Sequence, residues 1–458
     1  MTQGPPTRRL QAGLWGTALM VSGLLSARVA HAQQAMPDTL DIDRALRIAV
    51  AQSPTLSQAQ ASADVAGADR RVALGAFLPT ASANMSLSRN NFTTNTFLSP
   101  EGESQTLDQP LTSISASGSQ GINLSWTVLD LSRIATLKQR SAGLRASERR
   151  VDDQRLAVVA NVQRSYVEAL RRQTLLELTR RQIRDRELEL DIARRRYEIA
   201  AVELSDVLGA ETLLLNAEVS LLSETSRLET GLRALSVSMG LSAEAGPGTT
   251  LVDLTNLPAA EGISAEALVA YALNEDPELL ALEADRAAAS ATLWGTKGRF
   301  LPTIQVGYGW RWSEQFGPGD DFFQFLLGDT GRGLSATASW QLFDGFSRVS
   351  QTQSASFQRF RASESLRQRR LEIERDVLRF LRQIEELAQS LVLLDRVFQL
   401  TQERLDMTRL QYQNGTADFT ALQQAIGTVT SAERTLIEQR YNYLLTWADL
   451  EEFVGEIR

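Results

Sequence analysis

The sequence predicts an α+β membrane protein made of two copies of one domain-sized unit, each with a pair of strands and a pair of helices. The first observation is a pattern repeated at a constant offset of 223, which aligns Phe77-Leu78-Pro79-Thr80 with Phe300-Leu301-Pro302-Thr303. The second is a further group of residues that recurs at a constant offset of 215, which aligns Tyr197 with Tyr412. Such self-similarity indicates duplication of a unit far longer than a solenoid repeat. The third is an apolar/polar alternation in each copy.

The first 32 residues have the pattern of a secretory signal peptide. Two arginines precede an apolar stretch from Leu10 to Leu25, and Ala30-His31-Ala32 supplies small residues for a cleavage site. The apolar stretch is shorter than the ~20 residues of a membrane anchor. We expect cleavage before Gln33, which leaves structural repeats at 33–257 and 258–458.

Composition argues against an enzyme. The single histidine, His31, lies in the predicted signal peptide, and the chain has no cysteine. This opposes Ser-His-Asp and Cys-His catalysis, disulfides and zinc sites of the usual kind. The sequence also has no GxxxxGK[ST] phosphate-binding loop, and a net charge of −8 opposes nucleic-acid binding. We expect no catalytic residue, no metal and no cofactor.

Each repeat is predicted to begin with a helix and to continue as a hairpin. The first helix runs from about Asp41 to Leu74 and is interrupted at Pro54. After each Phe-Leu-Pro-Thr junction, apolar residues alternate with small polar ones, which predicts hairpins at about 79–129 and 302–343. The apolar positions share one phase: Ala81, Ala83, Met85 and Leu87; Ile122, Leu124, Trp126 and Val128; Ile304, Val306, Tyr308, Trp310 and Trp312; Leu334, Ala336, Ala338, Trp340 and Leu342.

Strands of about ten residues with this alternation fit an outer-membrane barrel, but also a soluble sheet packed on a core. Three features favour lipid. The polar face is rich in Ser, Thr, Asn, Gln and Gly, which suits a wet lumen, and the signal peptide directs the chain to the envelope. Tryptophans also lie near strand ends, where interfacial girdles occur: Trp126, Trp310, Trp312 and Trp340. The polar linkers Arg89–Thr112 and Ser313–Gly331 are predicted to be long outer loops.

The longest predicted element is a helix from Leu131 to Tyr197, which contains no proline and carries apolar residues every seven positions. The second repeat has the same column, and a shorter helix with its own heptads follows each one. Sustained heptads indicate coiled-coil packing. At ~1.5 Å per residue such a helix reaches about 100 Å and must pack against other helices. Asn414-Gly415 marks the second helix turn, whereas Ala200-Ala201 in the first predicts a different turn geometry.

Four strands are too few to close a membrane barrel, which needs at least about eight. A barrel must therefore be shared, and two chains would give eight strands and three would give twelve. The charged helices would project from one side of the barrel into the periplasm. The alternative is a periplasmic coiled-coil structural or adaptor protein whose strands form a soluble sheet.

The order of elements, the Phe-Leu-Pro junctions and the helical tips Tyr197–Ala210 and Tyr412–Ala425 resemble the TolC family of outer-membrane efflux and secretion channels. The resemblance covers essentially all of the mature chain. It implies a homotrimer in which one twelve-stranded barrel continues into a twelve-helix periplasmic tunnel. It also implies a passive exit duct that works with a periplasmic adaptor and an inner-membrane RND or ABC transporter. The sequence does not indicate whether the cargo is drugs, metals or secreted proteins.

The resemblance further implies two sites at the helical tips. Adaptor contacts would be Ile199, Ala200, Ala201, Val202, Gly415, Thr416 and Ala417, with Ala200 and Ala417 replacing the family's usual glycine and basic residue. The family's acidic rings fall here on the uncharged Ala421 and Gln424. The predicted gate residues are Asp206, Ser205, Glu203, Tyr412, Asp418 and Gln424, with Asp206 as the leading acid and Tyr412 as its hydrogen-bond partner. The alternatives are ordinary turn residues and a solvated acid at a helix N-terminus.

Overall fold

The computed structural model describes residues 36–100, 102–254, 258, 264–316 and 329–454. The predicted signal peptide lies outside these residues, as does most of the linker Ser313–Gly331. In the first half the elements are β1 (Thr39–Leu40), α1 (Ile42–Gln52), α2 (Pro54–Gly75), β2 (Thr80–Leu98), β3 (Ser104–Leu129), α3 (Leu131–Glu198) and α4 (Leu204–Ser238).

The second half repeats this order, which confirms the internal duplication. Its elements are β4 (Thr250–Leu251), α5 (Ala265–Glu275), α6 (Pro277–Gly298), β5 (Thr303–Phe316), β6 (Asp329–Ser339), α7 (Ser347–Gln413) and α8 (Phe419–Val454). The bounds of the two repeats, 33–257 and 258–458, stay a prediction.

The predicted break at Pro54 is confirmed, and its cause is an N-cap. α1 ends at Gln52, and Ser53 Oγ accepts a hydrogen bond from the backbone N–H of Leu56 at 3.3 Å. Proline at the first helical position loses no hydrogen bond. The second repeat has the same device, because Asp276 Oδ1 accepts from the N–H of Leu279 at 2.6 Å before α6.

The strands form one antiparallel sheet in the order β2-β3-β5-β6. Its register places apolar residues opposite one another, as in the row Ala81–Leu124–Tyr308–Leu334. This register confirms the predicted common phase along most of the four strands, because a slip by one residue would move every side chain to the other face. Val128 departs from it at a register shift between Thr127 and Leu129, and Trp340 and Leu342 lie beyond the end of β6. Within the described residues, the outer edges of β2 and β6 have no strand partner.

The predicted outer loop Arg89–Thr112 is wrong, because most of it is strand. β2 continues to Leu98, and β3 begins at Ser104, with a register shift between Thr94 and Thr96. Hydroxyl pairs cross this hairpin, including Ser88 Oγ with Ser117 Oγ at 2.8 Å. Polar residues occupy both faces of this extension, and its few apolar residues, such as Phe92, Phe97 and Leu98, do not alternate regularly. It therefore lacks the pattern that marks a strand in sequence.

The helices pack side by side in one layer. Near the sheet the order is α2-α3-α6-α7, and at the far end it is α4-α3-α8-α7. The predicted long helix is confirmed by α3, whose heptad residues Val162, Ala169 and Leu176 are buried. Within the described residues, no helix combines the length and the apolar character that a membrane span requires.

A small parallel sheet of β1 and β4 lies against the middle of α3. The Tyr166 hydroxyl is 3.0 Å from the carbonyl oxygen of Leu40 and 2.7 Å from that of Val252. Gln173 completes the attachment, because its side-chain amide donates to and accepts from the backbone of Leu251. Burial raises the pKa of Tyr166 to about 12, so its hydroxyl stays protonated and able to donate.

Candidate functional site

The sheet carries two aromatic groups at opposite ends of its apolar face. Trp310 and Trp312 stack with ring centroids 4.8 Å apart, far from the helices. At the helical end, Trp126 Nε1 donates to the carbonyl oxygen of Phe77 at 2.9 Å. Trp340 Nε1 donates to the corresponding carbonyl of Phe300 at 3.0 Å. Both indoles thereby join a strand end to the junction between helix and strand.

A pair of arginines binds the neighbouring carbonyls at the same junctions. Arg133 Nη1 donates to the carbonyl oxygen of Ala76, and Arg348 Nη1 donates to that of Arg299 at 3.3 Å. Carbonyls at a helix C-terminus have no partner within the helix. These four side chains satisfy such groups and fix the sheet on the helices. The two arginines are separated by the same offset as Tyr197 and Tyr412, which is the sequence signal that could have revealed them.

At the far end of the helix layer, the two turns share one geometry. After α3, the N–H of Ala200 donates to the carbonyl of Tyr197 at 2.9 Å, and Ala201 donates to Arg196 at 2.8 Å. After α7, the same pattern joins Gly415 to Tyr412 at 3.1 Å and Thr416 to Gln411 at 2.9 Å.

The expectation of a different turn at Ala200-Ala201 is therefore wrong. Ala200 has φ 52° and Gly415 has φ 75°, so alanine adopts the left-handed conformation that glycine supplies in the other turn. This conformation costs an L-residue about 1–2 kcal/mol. The two backbone hydrogen bonds of the turn hold Ala200 in it.

The predicted adaptor-contact residues lie on these two turns. The first turn is apolar and open to solvent, with Ile199 75 % exposed and Ala200 and Ala201 also exposed. Val202 and Ala417 are half-buried, whereas Gly415 and Thr416 are exposed. The structure thus brings all seven residues to the same end of the chain.

The predicted gate acids occupy the starts of α4 and α8. Glu203 is the N-cap residue of α4 and accepts from Ser205 Oγ at 3.4 Å, and Asp418 Oδ1 accepts from the N–H of Ala421 at 2.7 Å. Asp206 is half-buried in the first turn of α4. Gln424 is exposed on α8.

The predicted hydrogen bond between Tyr412 and Asp206 is absent. The Tyr412 hydroxyl is buried and makes no hydrogen bond within the described residues. Burial raises the pKa of Tyr412; the charge of Arg196 opposes this increase, and that of Asp206 adds to it. Asp206 is therefore near enough to act through its charge, but it does not hold the hydroxyl.

Arg196 of α3, and not Asp206, makes the direct contact with Tyr412. Its Nη1 donates to the carbonyl oxygen of Tyr412 at 2.7 Å, and its guanidinium carbon lies 4.4 Å from the centroid of the Tyr412 ring. Phe419 packs on the other side of this contact, with its ring 6.3 Å from that of Tyr412 and against Gly209 of α4. Sequence reasoning missed Arg196 because it is one of several arginines at the end of α3, and only the packing distinguishes it.

The fold and these surfaces define a subunit of a membrane channel. In the part of the chain that the structure describes, an apolar-faced sheet with two open edges stands on a layer of helices whose tips are in contact. A sequence profile of the outer membrane efflux protein family matches residues 45–241 and 268–456, so each repeat matches separately. The chain belongs to this family. It is thus an outer-membrane efflux duct with a helical periplasmic domain, and the family is one of channels, not enzymes.

Known structures share the fold. The chain is similar to a membrane protein from Pseudomonas aeruginosa, with 20% identity, a TM-score of 0.75 and coverage of 90% of this chain and 93% of that one. The CmeC channel of Campylobacter jejuni is 15% identical, with a TM-score of 0.77 and coverage of 90% of this chain and 85% of that one. The open MtrE channel of Neisseria gonorrhoeae is 18% identical, with a TM-score of 0.72 and coverage of 90% of this chain and 88% of that one. No curated protein sequence matches the chain.

Proposed function

We propose that three copies of this chain form one passive exit duct, in which their twelve strands close a barrel and their helices form a periplasmic tunnel. The observation that carries the proposal is the four-stranded sheet with one apolar face and with two edges that no other described strand pairs with. Open edges are not stable in lipid, so β6 of one copy must pair with β2 of the next. Three copies reach the twelve strands that the family resemblance implies.

The helix layer has matching open edges. α4 exposes an apolar stripe on the side away from α3, with Leu208, Leu215 and Leu222 spaced by seven residues. α7 exposes Leu393, Leu400 and Met407 at the same spacing and at the opposite edge of the layer. Two heptad stripes at opposite edges fit a head-to-tail ring, in which α7 of one copy packs on α4 of the next.

Replacement of Leu215 by glutamate tests this closure. A charge in the stripe is expected to abolish the trimer in sedimentation and the conductance of the full-length protein in planar bilayers, because it would lie desolvated between α4 and α7. Asn216→Glu adds the same charge beside the stripe, where the residue is exposed, and is expected to preserve both.

A trimeric Leu215→Glu protein with normal conductance would disprove the interface. Lack of conductance in the unmodified protein would disprove the duct itself. Recovery of the unmodified chain in the soluble periplasmic fraction would favour the alternative of a coiled-coil protein with a soluble sheet.

The interlocked tips form the periplasmic gate in this proposal. The contact of Arg196 with Tyr412 ties the hairpin of α3 and α4 to that of α7 and α8. Asp206, together with Glu203 and Asp418, supplies negative charge near the opening, which favours cations. Ser205 and Gln424 add polar groups at the same end. The duct opens when the two hairpins separate.

The exposed tip residues are the contact surface for a periplasmic adaptor. Ile199, Ala200 and Ala201 present an apolar turn, and Gly415 and Thr416 present a polar one beside it. The adaptor would link the duct to an inner-membrane transporter of the RND or ABC type, since the duct has no motor of its own. The cargo would be set by that transporter.

A further inference from the structure

Between the rows of Ile304 and Trp312, one charged side chain interrupts the apolar face of the described strands. Arg332 of β6 lies opposite Trp310 of β5, in a row that continues through Ile122 and Ala83. From the row of Ile304 to that of Trp312, every other residue that the described strands place on this face is uncharged. A cation on a lipid-facing surface costs free energy that grows toward the bilayer midplane. Arg332 therefore needs a position close to the membrane surface and a negative charge nearby.

Its surroundings indicate the shallow position. The guanidinium carbon of Arg332 lies 4.9 Å from the ring centroid of Trp310, and Trp310 stacks on Trp312. Tryptophan marks the level of the membrane interface, and a cation over an aromatic face is stabilised there. The cluster thus combines an interfacial marker with a fixed positive charge.

The strand geometry places this cluster at the cell-surface end. β5 leaves the helices at Thr303, and at ~3.3 Å per residue the row of Arg332 is about 23 Å further along the strand. The apolar band of an outer-membrane barrel is ~25 Å tall, and strand tilt shortens the height that a strand covers. An arginine side chain extends toward the aqueous phase from such a depth. The guanidinium of Arg332 therefore reaches the headgroups of the outer leaflet.

The described strands offer no counter-charge on this face in the row of Arg332. β2, which pairs with β6 of the next copy in the proposed ring, contains no Asp or Glu from Thr80 to Leu98. On β5, the nearest acidic residue of the same phase is Glu314, roughly 13 Å beyond Trp310 along the strand. The lipid headgroups then supply the compensating negative charge.

We propose that Arg332, Trp310 and Trp312 form a binding site for a phosphate group of the outer-leaflet glycolipid. The guanidinium can donate two parallel hydrogen bonds to phosphate oxygens. The two indoles pack against the sugar and the start of the acyl chains, because their rings are amphipathic. The argument from β2 holds only if β2 of the next copy pairs with β6, as in the proposed ring. The contact of Arg332 with Trp310 lies within one chain and does not depend on that ring.

The test uses the delipidated full-length protein and native mass spectrometry with bisphosphorylated lipid A. The unmodified protein is expected to retain the lipid, and Arg332→Gln is expected to weaken retention by roughly tenfold or more, in line with the loss of charge-assisted hydrogen bonds. Arg311→Gln is the matched control, because Arg311 lies next to Trp310 on the same strand but on the polar face. Removal of the phosphates from lipid A should weaken its binding to the unmodified protein. The weakening should equal the one that Arg332→Gln causes with phosphorylated lipid A.

Three outcomes would overturn the proposal. They are equal retention by Arg332→Gln and the unmodified protein, equal retention of phosphate-free lipid, and displacement of the lipid by millimolar inorganic phosphate. Greater weakening by Arg311→Gln would show that the polar face meets lipid, which would refute the barrel orientation instead. A Glu314→Gln variant that loses Arg332-dependent retention would identify Glu314 as part of the site and disprove a purely lipid counter-charge.

Discussion

At the scale of the residue, the tip contact depends on a guanidinium and not on a hydroxyl. Arg196 binds both the backbone carbonyl and the ring face of Tyr412, whereas the Tyr412 hydroxyl has no hydrogen-bond partner in the described structure. The position of Tyr412 at the tip was predictable from the repeat. Its partner was not, because Arg196 and Tyr412 meet only through tertiary packing.

Substitutions at the tip separate these two contacts. Arg196→Ala is expected to shift the open-to-closed ratio of single channels in planar bilayers by roughly tenfold, because it removes a cation–π contact and a charged hydrogen bond. Tyr412→Phe is expected to leave the ratio unchanged. Asp206→Ala is expected to raise leak conductance, because it removes a half-buried carboxylate from the tip.

The opposite pattern would contradict this assignment. If Tyr412→Phe opens the channel and Arg196→Ala does not, the link runs through the hydroxyl. An unchanged conductance in Asp206→Ala would remove Asp206 from the gate.

At the scale of the element, the long helices meet through a compact group of charges. Asp153 of α3 lies near Asp276, the N-cap residue of α6, and near Glu278 in its first turn. Two arginines are also close, and one of them, Arg369, pairs with Asp276 at 2.7 Å. Burial raises the pKa of Asp153, and the charge of Asp276 adds to this. Burial also raises the pKa of Glu278, with a contribution from Asp153. The charged forms of both carboxylates are thus disfavoured in the folded helices.

Neutralisation of Asp153 is therefore expected to stabilise the helix layer. A raised folded-state pKa means that the folded chain gains stability as pH falls through it and loses that gain as pH rises. Asp153→Asn should increase the free energy of unfolding at pH 7 by about 1 kcal/mol or less. The difference should vanish near pH 3, where the carboxyl of the unmodified chain is protonated.

Thermal unfolding followed by circular dichroism between pH 3 and pH 7 measures this effect. Asp152→Asn is the control, because Asp152 is exposed and, among the described residues, pairs only with the exposed Arg149 at 3.4 Å. A lower melting temperature of Asp153→Asn at pH 7 would show that its contacts with Arg150 and Arg369 outweigh its burial.

Elements with a strong period were predictable, and those without one were not. The length of α3 and the phase of β5 follow from heptads and alternation, because burial on one face imposes a period. The extension of β2 beyond Arg89 has polar residues on both faces, so no burial marks it. The turn at Ala200 was mispredicted because its hydrogen bonds, not its residue type, set its geometry.

At the scale of the whole molecule, the tips and the sheet lie at opposite ends of the helix layer. This separation makes the tips available to a periplasmic partner while the sheet is in the membrane. The number of copies does not follow from one chain, because open edges require closure but do not count the subunits. The family resemblance, and not the periodicity, supplies the number three.

The lack of cysteine makes the tip contact directly measurable. Ile199→Cys, labelled with a maleimide photo-cross-linker in cells, is expected to give a covalent product with a periplasmic partner, because Ile199 is exposed on the tip. Ser220→Cys is the control, since it is exposed on α4 but away from the tip. A partner product from Ser220→Cys alone would place the contact on the side of the tunnel.

The pairing of β1 with β4 sets an order of events during secretion. The N-terminal end of an exported chain emerges first, but β1 has no partner until Thr250 and Leu251 have also crossed the inner membrane. Contacts between such distant segments form slowly because a long loop must close first. Tyr166 and Gln173 on α3 are translocated between the two strands and can receive each one as it arrives. The sheet of β1 and β4 can therefore form on α3 before α5 emerges, whereas the core around it is complete only when Tyr441 and Leu444 of α8 arrive.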